Sequence, residues 1–386
     1  MRSFNSNKDS MYIVADDKIP FLKGILEDKA SIVYKPGEKI TSEDLLNADA
    51  LLVRTRTRCD KSLLEGSNVR FIGSPTIGYD HIDTIWCDEN GIIWKNAPGC
   101  NSNAVQQYFG SAMALLYQRF GFNPEGKTIG VIGVGHVGSK VANLAALLGM
   151  EVLLYDPPRK SIEHDERFCE LEDILEQADV ITLHIPLTLD NSWPTYHMID
   201  EKVLSSLNKC QVIINTSRGE VVETEALKQW IQKQQAIGVF DVWENEPDPD
   251  FELHQLAAIA TPHIAGYSLE GKANGTQAIV RSLSQHFNLG LNSYSLPEFP
   301  APVDHSFYID CDDLSDNEVL FSAFLRVYDI TRDDILLRHD PSDFEELRKN
   351  YSYRREWSAY TIRLKNGTIR QRKLLKRVGF KVKSLF

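Results

Sequence analysis

Three short polar segments follow apolar runs of strand length in the second half of the chain: INTSRGEVV carrying Arg218, VFDVWENEP carrying Asp241 and Glu246, and ATPHIAGY carrying His263. Together these residue types suit the removal of a hydride from an alcohol. Such an oxidation needs a base for the hydroxyl proton, and imidazole titrates near neutral pH. A carboxylate beside the ring orients it and favours its protonated form. An arginine holds a substrate carboxylate through two parallel hydrogen bonds and polarises the carbonyl that forms. Singly, each residue has a plainer role. One histidine among ten is usually a satisfied or exposed ring, and an isolated Arg or Glu is usually half of a surface ion pair.

A hydride also needs an acceptor, and the segment before these supplies a place for one. Residues 129–138, IGVIGVGHVG, carry Gly133, Gly135 and Gly138 as G-x-G-x-x-G between an apolar strand and the helical run SKVANLAALLG. The first glycine allows a tight turn, the second close approach of backbone to a pyrophosphate, and the third close packing of helix on strand. The helix N-terminus adds N–H donors and a positive dipole. The next strand, EVLLYD, ends at Asp156, eighteen residues after Gly138. An acid there accepts hydrogen bonds from ribose hydroxyls and repels a 2′-phosphate, which favours NAD over NADP. Arg159, three residues on, tempers that preference.

These residues need a scaffold that brings strand ends together. Apolar runs KTIGVIG, EVLLYD, VITLHI, QVIINTS and AIGVFDVW alternate with helical patterns, the signature of a doubly wound parallel sheet whose carboxyl ends face a cofactor. The first hundred residues alternate likewise, with strands at MYIVA, ALLVR and NVRFIGS and a helix expected over residues 19–27. A long helix is expected over 103–120. The Pro- and Ser-rich stretch 291–303 reads as a linker to a final module, in which FYIDCDD and YTIRL alternate with helices.

The motifs GVIGVGHVGSKVA, HIPLT, INTSRGEVV, DVWENEP and TPHIAG resemble the D-isomer-specific 2-hydroxyacid dehydrogenase family over residues 11–290. The resemblance implies an α/β protein: a Rossmann-type NAD domain at 102–268, a discontinuous flavodoxin-like substrate domain at 1–101 and 269–298 closing over substrate, and a small α+β C-terminal dimerisation domain at 299–386. Carried over residue by residue, Arg218 orients substrate, Glu246 is the partner acid and His263 the acid/base. NAD would be held by Gly133, Gly135, His136, Val137, Gly138, Asp156, Ile185, Thr216, Ser217, Asp241 and Gly266. The segments NAPGCNSNAV, VYDITRDD, FEELRKNYSYRREW and LKRVGF resemble one branch of the family, which acts on a small phosphorylated hydroxy acid. In that branch Thr55, Thr76 and Tyr267 contact substrate. Arg54, Arg56 and Arg58 alternate, so on an extended segment they share a face, and Arg54 or a neighbour is expected to help hold the phosphate.

Of the 386 residues, 42% are hydrophobic and 25% charged, with a net charge of −12. From residue 347 onward thirteen Lys and Arg face a single acid, Glu356, so that segment is +12 and the remainder −24. A basic end could bind nucleic acid, but in this context it reads as a surface facing substrate or a second subunit of a homodimer. No apolar run is long enough for a membrane span, and MRSFNSNKDS has no secretory apolar core; it reads as an unstructured extension. Six dispersed cysteines without metal-ligand spacing suggest no metal and a reducing, cytoplasmic setting. Two other readings share the motifs: a relative with another substrate, such as 3-phosphoglycerate, and a non-catalytic NAD-sensing co-repressor.

Overall fold

Alternation of short apolar strands with helices produces three parallel sheets in the computed structural model, which describes residues 11–189 and 192–384. The N-terminal decapeptide expected as an extension lies outside the described residues. The chain divides into two compact units, one joining Met1–Asn101 with Leu269–Phe299 and the other joining Ser102–Ser268 with Pro300–Phe386.

In the first unit, β1 (Tyr12–Asp16), β2 (Ser31–Lys35), β3 (Ala50–Leu52), β4 (Phe71–Gly73) and β5 (Ile93–Lys95) form one sheet in the order β2-β1-β3-β4-β5. This is the flavodoxin-like order. The helix Leu269–Phe287 returns to this unit and packs Ile279, Val280 and Leu283 against Ile13, Leu52 and Phe71. Residues 19–27 do not form the expected helix. Pro20 has no N–H to donate, Phe21 (φ 61°) and Gly24 (φ 89°) are left-handed, and the N–H groups of Gly24 and Leu26 turn to the Glu27 carboxylate. The segment after β3 is not extended either: it turns at Thr55 and Arg56, so the three alternating arginines do not form a single face. Arg54 instead donates to the Lys18 carbonyl, and Arg58 pairs with Asp60.

In the second unit, β6 (Thr128–Ile132), β7 (Glu151–Tyr155), β8 (Val180–Leu183), β9 (Val212–Asn215), β10 (Ile237–Phe240) and β11 (Ile259–Ala260) form a sheet in the order β11-β10-β9-β8-β6-β7. All pairings are parallel. β7 lies on one side of β6 and β8 on the other, so the winding reverses at the carboxyl end of β6, where such sheets bind ligands. β11, a sixth strand beyond the five long apolar runs, has only two residues.

The C-terminal segment has its own parallel sheet, β12-β13-β14, of Ser306–Asp310, Thr361–Lys365 and Lys381–Ser384. Expected as a third domain, it is packed into the second unit. Phe321, Phe324, Trp357 and Phe380 belong to the same core as Tyr108, Phe109 and Met113 of the helix Ser102–Phe120. Gly110 makes this possible: a Cβ there would meet the Trp357 ring at 3.0 Å and Phe324 at 3.2 Å. Phe324 in turn stacks on Trp357, with centroids 4.7 Å apart. Truncating a buried phenylalanine leaves a cavity and costs about 3–5 kcal/mol. Phe324→Ala should therefore lower the unfolding free energy of the whole second unit by that amount, read from denaturant unfolding; a loss below about 1 kcal/mol would contradict a shared core.

Candidate active site

The fingerprint loop leaves β6 and enters the helix His136–Leu147, whose N-cap is Gly135. Gly133 is left-handed (φ 85°), and a Cβ on it would strike the His184 carbonyl oxygen at 2.6 Å. Gly138 lies on Gly133, where a Cβ would meet its carbonyl oxygen at 1.9 Å. Gly135 is different, because a side chain there would meet nothing within 4 Å. The loop is therefore closed toward the sheet and open at the helix N-terminus, as a pyrophosphate requires.

Asp156 caps the next helix through the Arg159 N–H at 3.1 Å and accepts from the Val134 N–H at 2.8 Å. Each carboxylate oxygen keeps acceptor capacity for a ribose hydroxyl. The Arg159 guanidinium is engaged by Glu163 at 2.7 Å and by the Val134 carbonyl, which ties it to the protein and reduces its claim on a 2′-phosphate. These residues fit NAD.

At the ends of β8 and β9, His184 lies between Thr182 (3.0 Å) and Thr216 (3.4 Å). Its environment pushes the ring's pKa down to about 3 by desolvation, so it stays neutral. The Asn215 side chain accepts from the N–H and hydroxyl of Ser217 and donates to the Arg218 carbonyl. Gly219 follows with no space for a side chain: a Cβ would meet the Trp243 carbonyl carbon at 1.9 Å. The backbone after Arg218 is thus pressed against the segment leading to Glu246.

Glu246 and His263 meet directly, with Nδ1 of the ring 2.8 Å from Oε2 of the carboxylate. The Trp243 N–H donates to the other oxygen at 3.1 Å. Burial alone would raise the Glu246 carboxyl, but the His263 charge and hydrogen bond, the Arg348 guanidinium and the Trp243 N–H together hold it below the usual range. Nδ1 donates, so Nε2 is the nitrogen left to take a proton. His263 (φ 55°) and Asn245 (φ 63°) both have left-handed backbones, local strain of a kind concentrated at functional sites.

Asp241 holds this arrangement from beneath. Its buried carboxylate accepts from the Thr261 hydroxyl at 2.7 Å and from the N–H groups of Ile264 and Ala265 at 2.8 Å each, while its carbonyl accepts from the His263 N–H at 2.7 Å. Burial pushes the Asp241 carboxyl up to about 6 against the pull of the His263 charge and these donors. The Trp243 indole donates to the Thr261 carbonyl at 3.0 Å, fastening the two loops. Gly266 and Tyr267 end the same loop, and the Tyr267 ring packs edge-on to Tyr351 and Tyr353.

In the first unit, Thr55 is exposed on the turn after β3. Thr76 is half-buried after β4, hydrogen-bonded to Ser74 (2.7 Å) and to the Gly78 carbonyl (2.8 Å). Sequence reasoning missed Arg348 and Arg354, which reach the segments of Glu246 and His263 from the C-terminal module; in FEELRKNYSYRREW they are two of four basic residues beside three acids, with no local spacing to mark them.

Residues 105–265 match the family described as D-isomer specific 2-hydroxyacid dehydrogenase, NAD binding domain, and residues 302–379 match a domain of unknown function, DUF3410. An erythronate-4-phosphate dehydrogenase of Bacteroides fragilis is 46% identical over 91% of this chain and 99% of its own. One from Porphyromonas gingivalis is 40% identical over 96% and 100%. Among solved structures, NAD+-bound 3-phosphoglycerate dehydrogenase of Entamoeba histolytica superposes with a TM-score of 0.61 at 26% identity, covering 75% of this chain and all of that one. NAD is the cofactor, and the chain belongs to the erythronate-4-phosphate dehydrogenase branch of the D-isomer-specific 2-hydroxyacid dehydrogenase family.

Proposed function

We propose that the protein oxidises 4-phospho-D-erythronate to 2-oxo-3-hydroxy-4-phosphobutanoate, a step toward pyridoxal 5′-phosphate. The observation that carries this reading is the extent of the resemblance, which includes the C-terminal module that lies outside the general dehydrogenase fold. Bound NAD would supply the acceptor for the hydride that leaves C2 of the substrate. His263 accepts the C2 hydroxyl proton at Nε2 while Glu246 fixes Nδ1 as the donor nitrogen and balances the imidazolium that forms. Arg218 holds the substrate carboxylate and polarises the new carbonyl. Thr55, Thr76 and Tyr267 contact the substrate, and Arg54 or a neighbour helps hold its phosphate.

Gly133, Gly135, His136, Val137 and Gly138 would hold the pyrophosphate of NAD through their backbone, Asp156 would hold its ribose, and Ile185, Thr216, Ser217 and Gly266 would hold it farther along the sheet. Asp241 serves it through the loop that its carboxylate anchors. The protein works as a homodimer in the cytoplasm. None of its six cysteines, all among the described residues, is in a disulfide. Among the described residues no helix is long and apolar enough to cross a membrane.

An assay at 340 nm with 4-phosphoerythronate, 3-phosphoglycerate and D-lactate compares the three specificities. The phosphorylated four-carbon acid should be preferred, and absence of turnover with it would refute the assignment. His263→Ala should lower kcat by about 10²–10⁴-fold, the usual contribution of a positioned general base, with NAD affinity unchanged. Asp156→Ala should raise KM for NAD and spare that for substrate; unchanged NAD binding would remove Asp156 from the ribose site.

A further inference from the structure

The C-terminal module matches a domain of unknown function, yet it grips the catalytic loop at several points. The Asp334 carboxylate accepts from the Ala260 N–H at 2.8 Å, and Arg338 donates to the carbonyls of Ala257 (2.7 Å) and His254 (3.1 Å), fixing the short strand that ends just before His263. Arg354 is buried behind the same loop, with its guanidinium on the carbonyls of Ile264 (3.0 Å), Ala265 and Ala104 (3.1 Å) and over the Tyr328 ring. Glu356 accepts from the Ser268 hydroxyl at 2.8 Å and from Asn103 at 2.8 Å. A loop residue with left-handed backbone, such as His263, keeps that conformation only if its surroundings over-determine it. Here the module supplies much of that restraint.

Closest to the chemistry is Arg348. Its Nη1 lies 3.7 Å from Oε2 of Glu246, the same oxygen that receives Nδ1 of His263. Glu345 pairs with Arg348 at 3.2 Å and the Phe344 ring lies 5.6 Å beneath the guanidinium, so the cation is fixed in place. We propose that the C-terminal module is a working part of the catalytic centre, and that Arg348 is a positioning residue that keeps Glu246 ionised and aimed at His263. This rests on the roles given above to Glu246 and His263.

The physical argument is one of proton location. A neutral Glu246 would hold its own proton and could donate it to Nδ1, which would put the ring proton on Nε2 and leave no base toward the substrate. An arginine stays charged at any working pH and opposes that protonation. Of the charged groups nearby, the Asp241 carboxylate acts on His263 from below the loop, and Glu345 lies on the far side of Arg348. Both are acids and push the opposite way.

The test is the pH profile of kcat/KM for the full-length enzyme with saturating NAD. Arg348→Gln should move the acidic limb to higher pH by about half a pH unit or more and lower kcat, with KM for NAD unchanged. Arg348→Lys, which restores the charge, should return the limb toward the wild-type position. A purely structural role would lower melting temperature and activity without moving the limb. Glu345→Gln provides a second route, because it frees Arg348 without deleting it and should reduce kcat with little change in the limb. A limb for Arg348→Gln superimposed on wild type, or one that Arg348→Lys fails to restore, overturns the proposal. Should Arg348→Gln not fold, an undiminished kcat in Glu345→Gln overturns it. Glu246→Gln and His263→Ala, assayed alongside, separate the two levels: their full activity would sink the acid/base reading and this proposal with it, whereas their inactivity beside an unshifted Arg348→Gln would sink this proposal alone.

Discussion

One hydrogen bond, 2.8 Å from Nδ1 of His263 to Oε2 of Glu246, decides which nitrogen of the ring can take a proton. The surrounding structure serves to hold two loops in the register that makes it. The loop with His263 begins at a strand of two residues, and the loop with Glu246 follows the neighbouring β10. Neither loop has regular structure to fix it. Asp241 beneath, the Trp243 indole across and the backbone of Gly219 alongside supply the fixing instead. Asp241 does so at a cost, since burial works against its charge, and the three donors to its carboxylate offset part of that penalty.

The same logic explains the placement of the cofactor residues. A parallel sheet delivers all its carboxyl ends to one edge, and the reversal at β6 opens a crevice there. The fingerprint loop is closed on its sheet side by Gly133 and Gly138 and open at Gly135, so a pyrophosphate there would meet backbone donors rather than side chains. Arg159, the residue that could have confused the choice between cofactors, is drawn off by Glu163 and the Val134 carbonyl.

Much of this was legible in the sequence. The glycine spacing, the acid after β7 and the motifs around Arg218, Glu246 and His263 are local patterns, and local patterns survive translation into structure. The misses are instructive because each depends on something non-local. Residues 19–27 have helical hydrophobic spacing, yet Pro20 and the left-handed Phe21 and Gly24 prevail. The arginines at 54, 56 and 58 alternate as a strand would, but the chain turns among them. The segment from residue 347 onward reads as a basic surface facing substrate or a second subunit, and only packing shows that Arg354 is buried and that Arg348 lies near Glu246. No spacing rule links residue 246 to residue 348. The separate third domain was expected for a related reason: a Pro-rich linker signals a break in the chain, but Gly110 and the stacked rings of Phe324 and Trp357 place the module in the neighbouring core.

The central claim is that His263, oriented by Glu246, takes the hydroxyl proton while Arg218 holds the carboxylate. A crystal structure of the complex with NAD and 4-phospho-D-erythronate tests it most directly. The account predicts the C2 hydroxyl within hydrogen-bond distance of Nε2 of His263, with the substrate carboxylate on the Arg218 guanidinium. A C2 hydroxyl directed at any other side chain, with His263 turned away from it, would contradict the account.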